Sequence, residues 1–198
     1  MERLETINSY ENFRWFFTSE GTLAIGGKSD EQNEIVIKNF LNPKFFVLHT
    51  TEPGSPFMII QKENPSKKEI NETAIFCACF SKQWKLGKKI ISVDVFRGEQ
   101  IYKTRSMKKG TFGVIGKKDV IKVRPKLFLV IQRGKLRAVP KVVNEKKLGV
   151  ITQGNLTKEE AADIIFKKIK DYYHLPLLKE EIMAAIPSDK INVKFNIR

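Results

Sequence analysis

Between residues 90 and 154 the sequence is cut into short β-branched stretches, with glycines at the breaks. The stretches are 90–96, 111–115, 120–123, 127–132, 136–139 and 148–152, and Gly98, Gly110, Gly116, Gly134 and Gly154 punctuate them. Runs this short and this rich in valine and isoleucine read as strands, with glycine supplying the reversals. The pair FLVIQRGKLRAVP, turning at Arg133-Gly134, reads as a hairpin. A chain with such a middle cannot be a helical bundle, so its helices must pack on a sheet.

Those helices lie early and late. RWFF and TLAIGG flank the turn SEG as a first hairpin, and SDEQNEIVIKNFLNP then offers Ser29 as N-cap, early acids and an apolar side. KFFVLHT and SPFMIIQ are short strands around EPG. From 67 to 84, Ile70, Ala74, Cys77, Phe80 or Ser81, and Trp84 recur at helical spacing. TKEEAADIIFKKIKDYY has a threonine cap, early acids and late lysines, which suits the helix dipole. A short helix after Pro176 and the strand INVKFNI complete the pattern. The expected fold is α+β: a mixed, largely antiparallel sheet packed with helices near residues 30–42, 67–84 and 157–173. Residues 1–145 are expected to form the main domain, with 146–198 a strand-helix-helix-strand extension packed on it.

Charge narrows the function. The net charge is +14, yet residues 82–147 hold 20 Lys/Arg against four acids, and the remainder is slightly acidic. One third of the chain carries the whole excess. A polyanion is the natural partner, nucleic acid before an anionic membrane surface. No apolar run approaches the roughly 18 residues of a membrane span, and MERLETINSYENFRW lacks the apolar stretch of a signal peptide. The expected compartment is the cytoplasm.

The basic third contains KKGTFGVIGKKD, residues 108–119, with glycines three apart among four lysines. A P-loop needs glycine five residues before its Gly-Lys and a hydroxyl after it. Here those positions are Thr111 and Lys118. The dinucleotide fingerprint must open a helix, whereas TFGVI reads as a strand. The glycines instead turn the chain at both ends of that strand and place lysines at its tips. Lys103, Arg105, Lys108, Lys109, Lys117 and Lys118 are the candidate phosphate contacts, with Arg14, Lys28 and His49 as further ones.

Other chemistries are poorly supplied. Cys77 and Cys79 lie on a predicted helix, where positions two apart point roughly 200° around the axis and do not share an ion. They read as buried thiols, so no metal or other cofactor is expected. His49 has no orienting carboxylate in its own segment, so no catalytic residue is assigned. In the RWFF strand, Arg14 and Phe16 share one face and Trp15 takes the other, with core packing the favoured fate of Trp15.

Five stretches in order carry a resemblance: RWFFTSEGTLAIGGKSDEQNE, NETAIFCACFSKQW, Gln100-Ile101-Tyr102-Lys103-Thr104, Gly110-Thr111-Phe112 with Ile115-Gly116-Lys117-Lys118, and the tail around Ile186–Ile191. Together they resemble the NFACT-R domain, the RNA-binding module of the NFACT family of ribosome quality-control factors, in a stand-alone archaeal-type form. The departures are Pro56 in place of a second histidine after His49, and Val114-Ile115 where an arginine precedes Gly-Lys-Lys. The family's N-terminal NFACT domain, helix-hairpin-helix and coiled-coil parts, which in full-length members hold tRNA and support tail addition, are not matched.

The resemblance implies a non-catalytic RNA-binding protein contacting ribosomal RNA or tRNA, on the large ribosomal subunit, with no membrane partner. The alternatives are a docking adaptor whose basic face meets an acidic or ribosomal protein, and a nucleic-acid-processing enzyme using His49 with a distant acid.

Overall fold

The computed structural model describes residues 10–174 and 176–195. Strand β1 (Arg14–Phe17) pairs antiparallel with β2 (Leu23–Gly26), and the alternation of β1 splits its side chains between two cores. Phe16 stacks on Phe76 on one side of the sheet. Trp15 lies on the other with Tyr10, Ile25 and Val47, and both rings are buried. Helix α1 (Asp30–Phe40) starts at Ser29, whose hydroxyl accepts from the Gln32 amide. Strands β3 (Phe46–Thr50) and β4 (Met58–Ile60) follow as an antiparallel pair.

Helix α2 (Lys67–Cys79) opens with a reciprocal cap between Ser66 and Glu69. The helix expected over 67–84 divides at Phe80. Ser81 bonds back to the Ala78 carbonyl and caps a second, short helix, α3 (Lys82–Lys85). The break lets Trp84 turn into the core, where it is wholly buried. Cys77 and Cys79 are equally buried, and that burial pushes the Cys77 thiol up to about 12 and raises Cys79 as well. Neither is a thiolate at neutral pH.

Beyond β5 (Ile91–Arg97), the chain forms the two-residue pair β6 (Ile101–Tyr102) and β7 (Gly113–Val114), then β8 (Asp119–Val123). The first sheet has order β1-β2-β4-β3-β5-β8. A second sheet of order β10-β9-β11-β12 combines β9 (Leu127–Gln132), β10 (Lys135–Val139), β11 (Gly149–Leu156) and β12 (Ile191–Phe195). Helices α4 (Lys158–Tyr173) and α5 (Lys179–Ala185) pack on it. Every strand pairing among the described residues is antiparallel, and the class is α+β. No described helix is long and apolar enough to cross a membrane.

The two sheets share one core with α2 between them: Phe16, Leu48 and Val93 from the first, Leu129 and Leu136 from the second. An exposed edge strand presents unpaired amides and carbonyls. On β1 that edge is covered by side chains of the second sheet. Gln132 accepts from the Phe17 amide at 2.7 Å and donates to its carbonyl at 3.0 Å. Arg137 donates to the Trp15 carbonyl at 2.6 Å and lies over the Trp15 ring. The opposite face of the first sheet carries α1 and the segment around Phe112.

Candidate nucleic-acid interface

The glycine-rich stretch is less a strand than a folded loop. Only Gly113 and Val114 pair, with Tyr102 and Ile101. Side chains replace the missing ladder. Gln100 donates to the Ile115 and Lys117 carbonyls, both at 2.8 Å, while its carbonyl oxygen accepts from the Arg97 amide. One glutamine thus clamps the entrance and exit of the loop.

The tip is pinned to α1. Glu34 accepts from the Gly110 amide at 2.7 Å and from the Lys103 ammonium at 2.6 Å. The same ammonium donates to the Lys108 and Thr111 carbonyls and sits over the Phe112 ring. Phe112 in turn packs edge-on against Phe57, which lies against His49. The Lys103 hydrogen bond, more than burial, sets the Glu34 carboxyl below its ordinary value.

Gly110 makes the docking possible. Its φ is +73°, and a Cβ there would stand 2.5 Å from the Asp30 Cβ. Gly110→Ala is therefore expected to detach the loop at a cost of roughly 2 kcal/mol. Amide exchange across 103–112 should accelerate while the sheet amides stay protected.

The loop cations divide into two sets. Lys103 is held by Glu34, Lys109 faces Glu31 at 3.5 Å, and Lys118 pairs with the buried Asp94. Arg105, Lys108 and Lys117 are exposed and have no carboxylate partner among the described residues. Lys103 is the fastener of the loop, and the three free cations are its outward charge.

His49 is half-buried and tied into the fold. Its Nδ1 donates to the Thr50 carbonyl at 2.7 Å. Burial, outweighing that bond and the Asp94 charge, lowers its pKa, so the ring is neutral at neutral pH. Asp94 stands opposite it on β5, but that carboxylate accepts from Thr51 and Lys118.

Arg14 and Lys28 lie apart from the loop tip, in a cleft on the other side of the first turn of α1. Two adjoining hollows, of about 180 and 420 Å³, share Arg14, Lys28, Gly54 and Phe80 in their walls. The Arg14 guanidinium lies over the Phe80 ring at 4.5 Å. Burial pushes its pKa down to about 10, which leaves it cationic at neutral pH. The larger hollow adds Lys82 and Lys85, and the smaller adds Ser29 and Asp30. Asp30 also faces Gly110, so the first turn of α1 borders both cleft and loop. Sequence reasoning missed Lys82 and Lys85 in this setting, because more than 50 positions separate them from Arg14 and Lys28 and no spacing rule links them.

Comparison with known proteins bears on what this surface meets. The profile of the NFACT protein RNA binding domain matches residues 12–116, over half of the chain. The archaeal Rqc2 homolog aRqcH of Methanocaldococcus jannaschii is 33% identical over 122 residues, covering 59% of this chain and 18% of that protein. The Drosophila melanogaster homolog of ribosome quality control complex subunit NEMF is 31% identical over 121 residues, 57% of this chain and 12% of its own length. Human NEMF is 28% identical over 130 residues, with 61% and 12% covered. The chain thus spans less than a fifth of each of these relatives. Among solved structures, the C-terminal part of the fibronectin/fibrinogen-binding protein of Streptococcus suis superposes with a TM-score of 0.52 at 20% identity, covering 57% of this chain and 45% of that one. That likeness concerns the fold alone. With the profile covering the first sheet up to Gly116, together with α1, α2 and the clamped loop, the chain belongs to the NFACT-R family.

Proposed function

We propose that this chain binds RNA through the loop and cleft around the first turn of α1, without catalysing a reaction on it, in translation or ribosome-associated quality control. The RNA is ribosomal RNA or tRNA, met on the large ribosomal subunit. Membership of a family described by RNA binding, and relatives named for ribosome quality control, support the reading. The observation that carries it is geometric. Arg105, Lys108 and Lys117 project from a loop that Gln100, Lys103 and Glu34 hold in one shape. Arg14 and Lys28 flank the same helix turn. Positions fixed in this way meet a phosphate backbone without further ordering of the chain, and the attraction falls with salt through counterion release.

The roles differ within the set. Arg105, Lys108 and Lys117 touch phosphates directly, Lys103, Lys109 and Lys118, which meet Glu34, Glu31 and Asp94, hold the platform, and neutral His49 offers a ring edge beside Phe57. Arg105→Glu/Lys108→Glu/Lys117→Glu should weaken binding of single-stranded RNA by about 100-fold in a mobility-shift assay and flatten its salt dependence. None of the three has an ion pair to break, so circular dichroism should be unchanged. Unaltered affinity in the folded variant would remove the loop from the interface.

A further inference from the structure

The cleft holds more charge than a folded chain has reason to gather. Arg14, Lys28, Lys82 and Lys85 form its walls, and none has a carboxylate within ion-pairing distance among the described residues. Lys158, the first residue of α4, stands within electrostatic reach. Burial and then the charges of Arg14, Arg137 and Lys158 lower the pKa of Lys28. Burial and then Arg14 lower that of Lys158, against the opposing pull of Glu159 and Asp189. Several cations outside the cleft, Lys44, Lys62, Lys88, Lys135 and Lys179, each face an acid. Those inside it repel one another.

The uncharged groups of the cleft fit the same ligand. The smaller hollow is bordered by Gly27, Ser29 and Asn33 at the N-terminal end of α1. Asn33 is only 8% exposed, and its Oδ1 has no hydrogen-bond partner. A buried amide oxygen without a donor calls for an explanation. Asn33 lines the hollow, with that oxygen closed off from solvent. Gly27 packs directly on Asn33, since a Cβ there would stand 2.5 Å from the Asn33 oxygen and 2.6 Å from its backbone nitrogen. Among the described residues, Arg14, Lys28, Lys82 and Lys85, without ion-pair partners beside a helix start, outnumber the one wall carboxylate, Asp30, and suit a phosphate group.

We propose that this cleft is a phosphate-binding subsite in which Arg14, Lys28, Lys82 and Lys85 grip the anion and Lys158 adds to the field. Arg14, fixed against Phe80, is the oriented donor, and the lysines are the adaptable ones. As the site of an RNA strand it rests on the RNA-binding reading above, and it extends that reading to three lysines remote from the glycine-rich loop. The phosphate comes either from within a strand, with one negative charge, or from a strand end, with close to two.

Inorganic pyrophosphate separates the cleft from the RNA question. It is titrated calorimetrically into the intact chain, into Lys82→Ala/Lys85→Ala/Lys158→Ala, and into Lys38→Ala/Lys67→Ala/Lys167→Ala, which removes equal charge from outside the cleft. The cleft variant should bind about tenfold more weakly than the other two proteins. Equal affinity in the two triple variants, or no binding to the intact chain, overturns the subsite whatever happens with RNA. RNA oligonucleotides with a 5′-phosphate or a 5′-hydroxyl then name the source. A loss in the cleft variant for both places interior phosphates there, a loss for the phosphorylated strand alone places its end there, and either supports the proposal. An intact chain that takes pyrophosphate but no RNA refutes the RNA-binding reading and leaves the subsite standing.

Discussion

Trp84→Ala is expected to lower the unfolding free energy by about 4 kcal/mol, the range for removing a buried aromatic ring from a core. Trp84 has no exposed surface and belongs to the core shared by both sheets. Its indole Nε1 donates to the Asp189 carbonyl at 3.0 Å, between α5 and β12. Its own carbonyl accepts from Gln153 on β11 at 3.1 Å. One residue therefore ties α3 to the far end of the chain. Truncation opens a cavity and leaves the Asp189 carbonyl without its donor. Trp84→Phe should cost less, about 2 kcal/mol, since most of the volume remains. Urea unfolding measured by circular dichroism tests both. A loss below about 1 kcal/mol for the alanine variant would mean that the second sheet is seated by other contacts.

Glu69→Ala is the second large effect, at about 3 kcal/mol at neutral pH. This carboxylate is wholly buried, one turn into α2. It accepts from the Ser66 amide at 2.9 Å, the Lys62 ammonium at 2.9 Å and the Thr18 hydroxyl at 3.1 Å. It therefore closes the helix cap and fastens the β1–β2 turn in the same stroke. Burial alone would raise its pKa, but hydrogen bonds from Thr22, Lys62, Ser66 and Thr18 outweigh that and hold it below the ordinary carboxylate range.

The pH dependence follows from that direction. The folded protein holds the proton less readily than the unfolded chain, so the stabilisation is fully present above the unfolded pKa. It is lost as pH falls through the depressed folded value. Glu69→Gln should therefore unfold at a lower urea concentration than the wild type near neutrality, with the gap narrowing as the pH falls below the ordinary carboxylate range. A gap that stays constant across that range would assign the loss to packing instead of charge.

How much of this was legible beforehand depends on the range of the interaction. The hairpins at Arg14–Gly26 and around Arg133-Gly134, the caps at Ser29 and Thr157, and the burial of Trp15 and the two cysteines follow from neighbours a few positions apart. The helix expected through Trp84 broke because Ser81 caps as readily as it continues a helix, a choice that Trp84's place in the core decides. The strand expected over 111–115 shrank to two residues because Gln100 and Lys103 satisfy its carbonyls from the side. No periodicity encodes such side-chain clamps.

The charge followed the same division. Local composition located the excess in the middle third and named nucleic acid as its match. It could not tell Lys103, Lys109 and Lys118, which meet Glu34, Glu31 and Asp94, from Arg105, Lys108 and Lys117, which meet none. Nor could it bring Lys82 and Lys85 beside Arg14 and Lys28. Short-range order, the class of fold and the sign of the net charge were written in the residues themselves, because capping, alternation and net charge act between neighbours or over the whole chain at once. Which cations are spent on holding the protein together and which are left for a ligand was decided only by folding, because ion pairs form between groups that the chain brings together from many tens of residues apart.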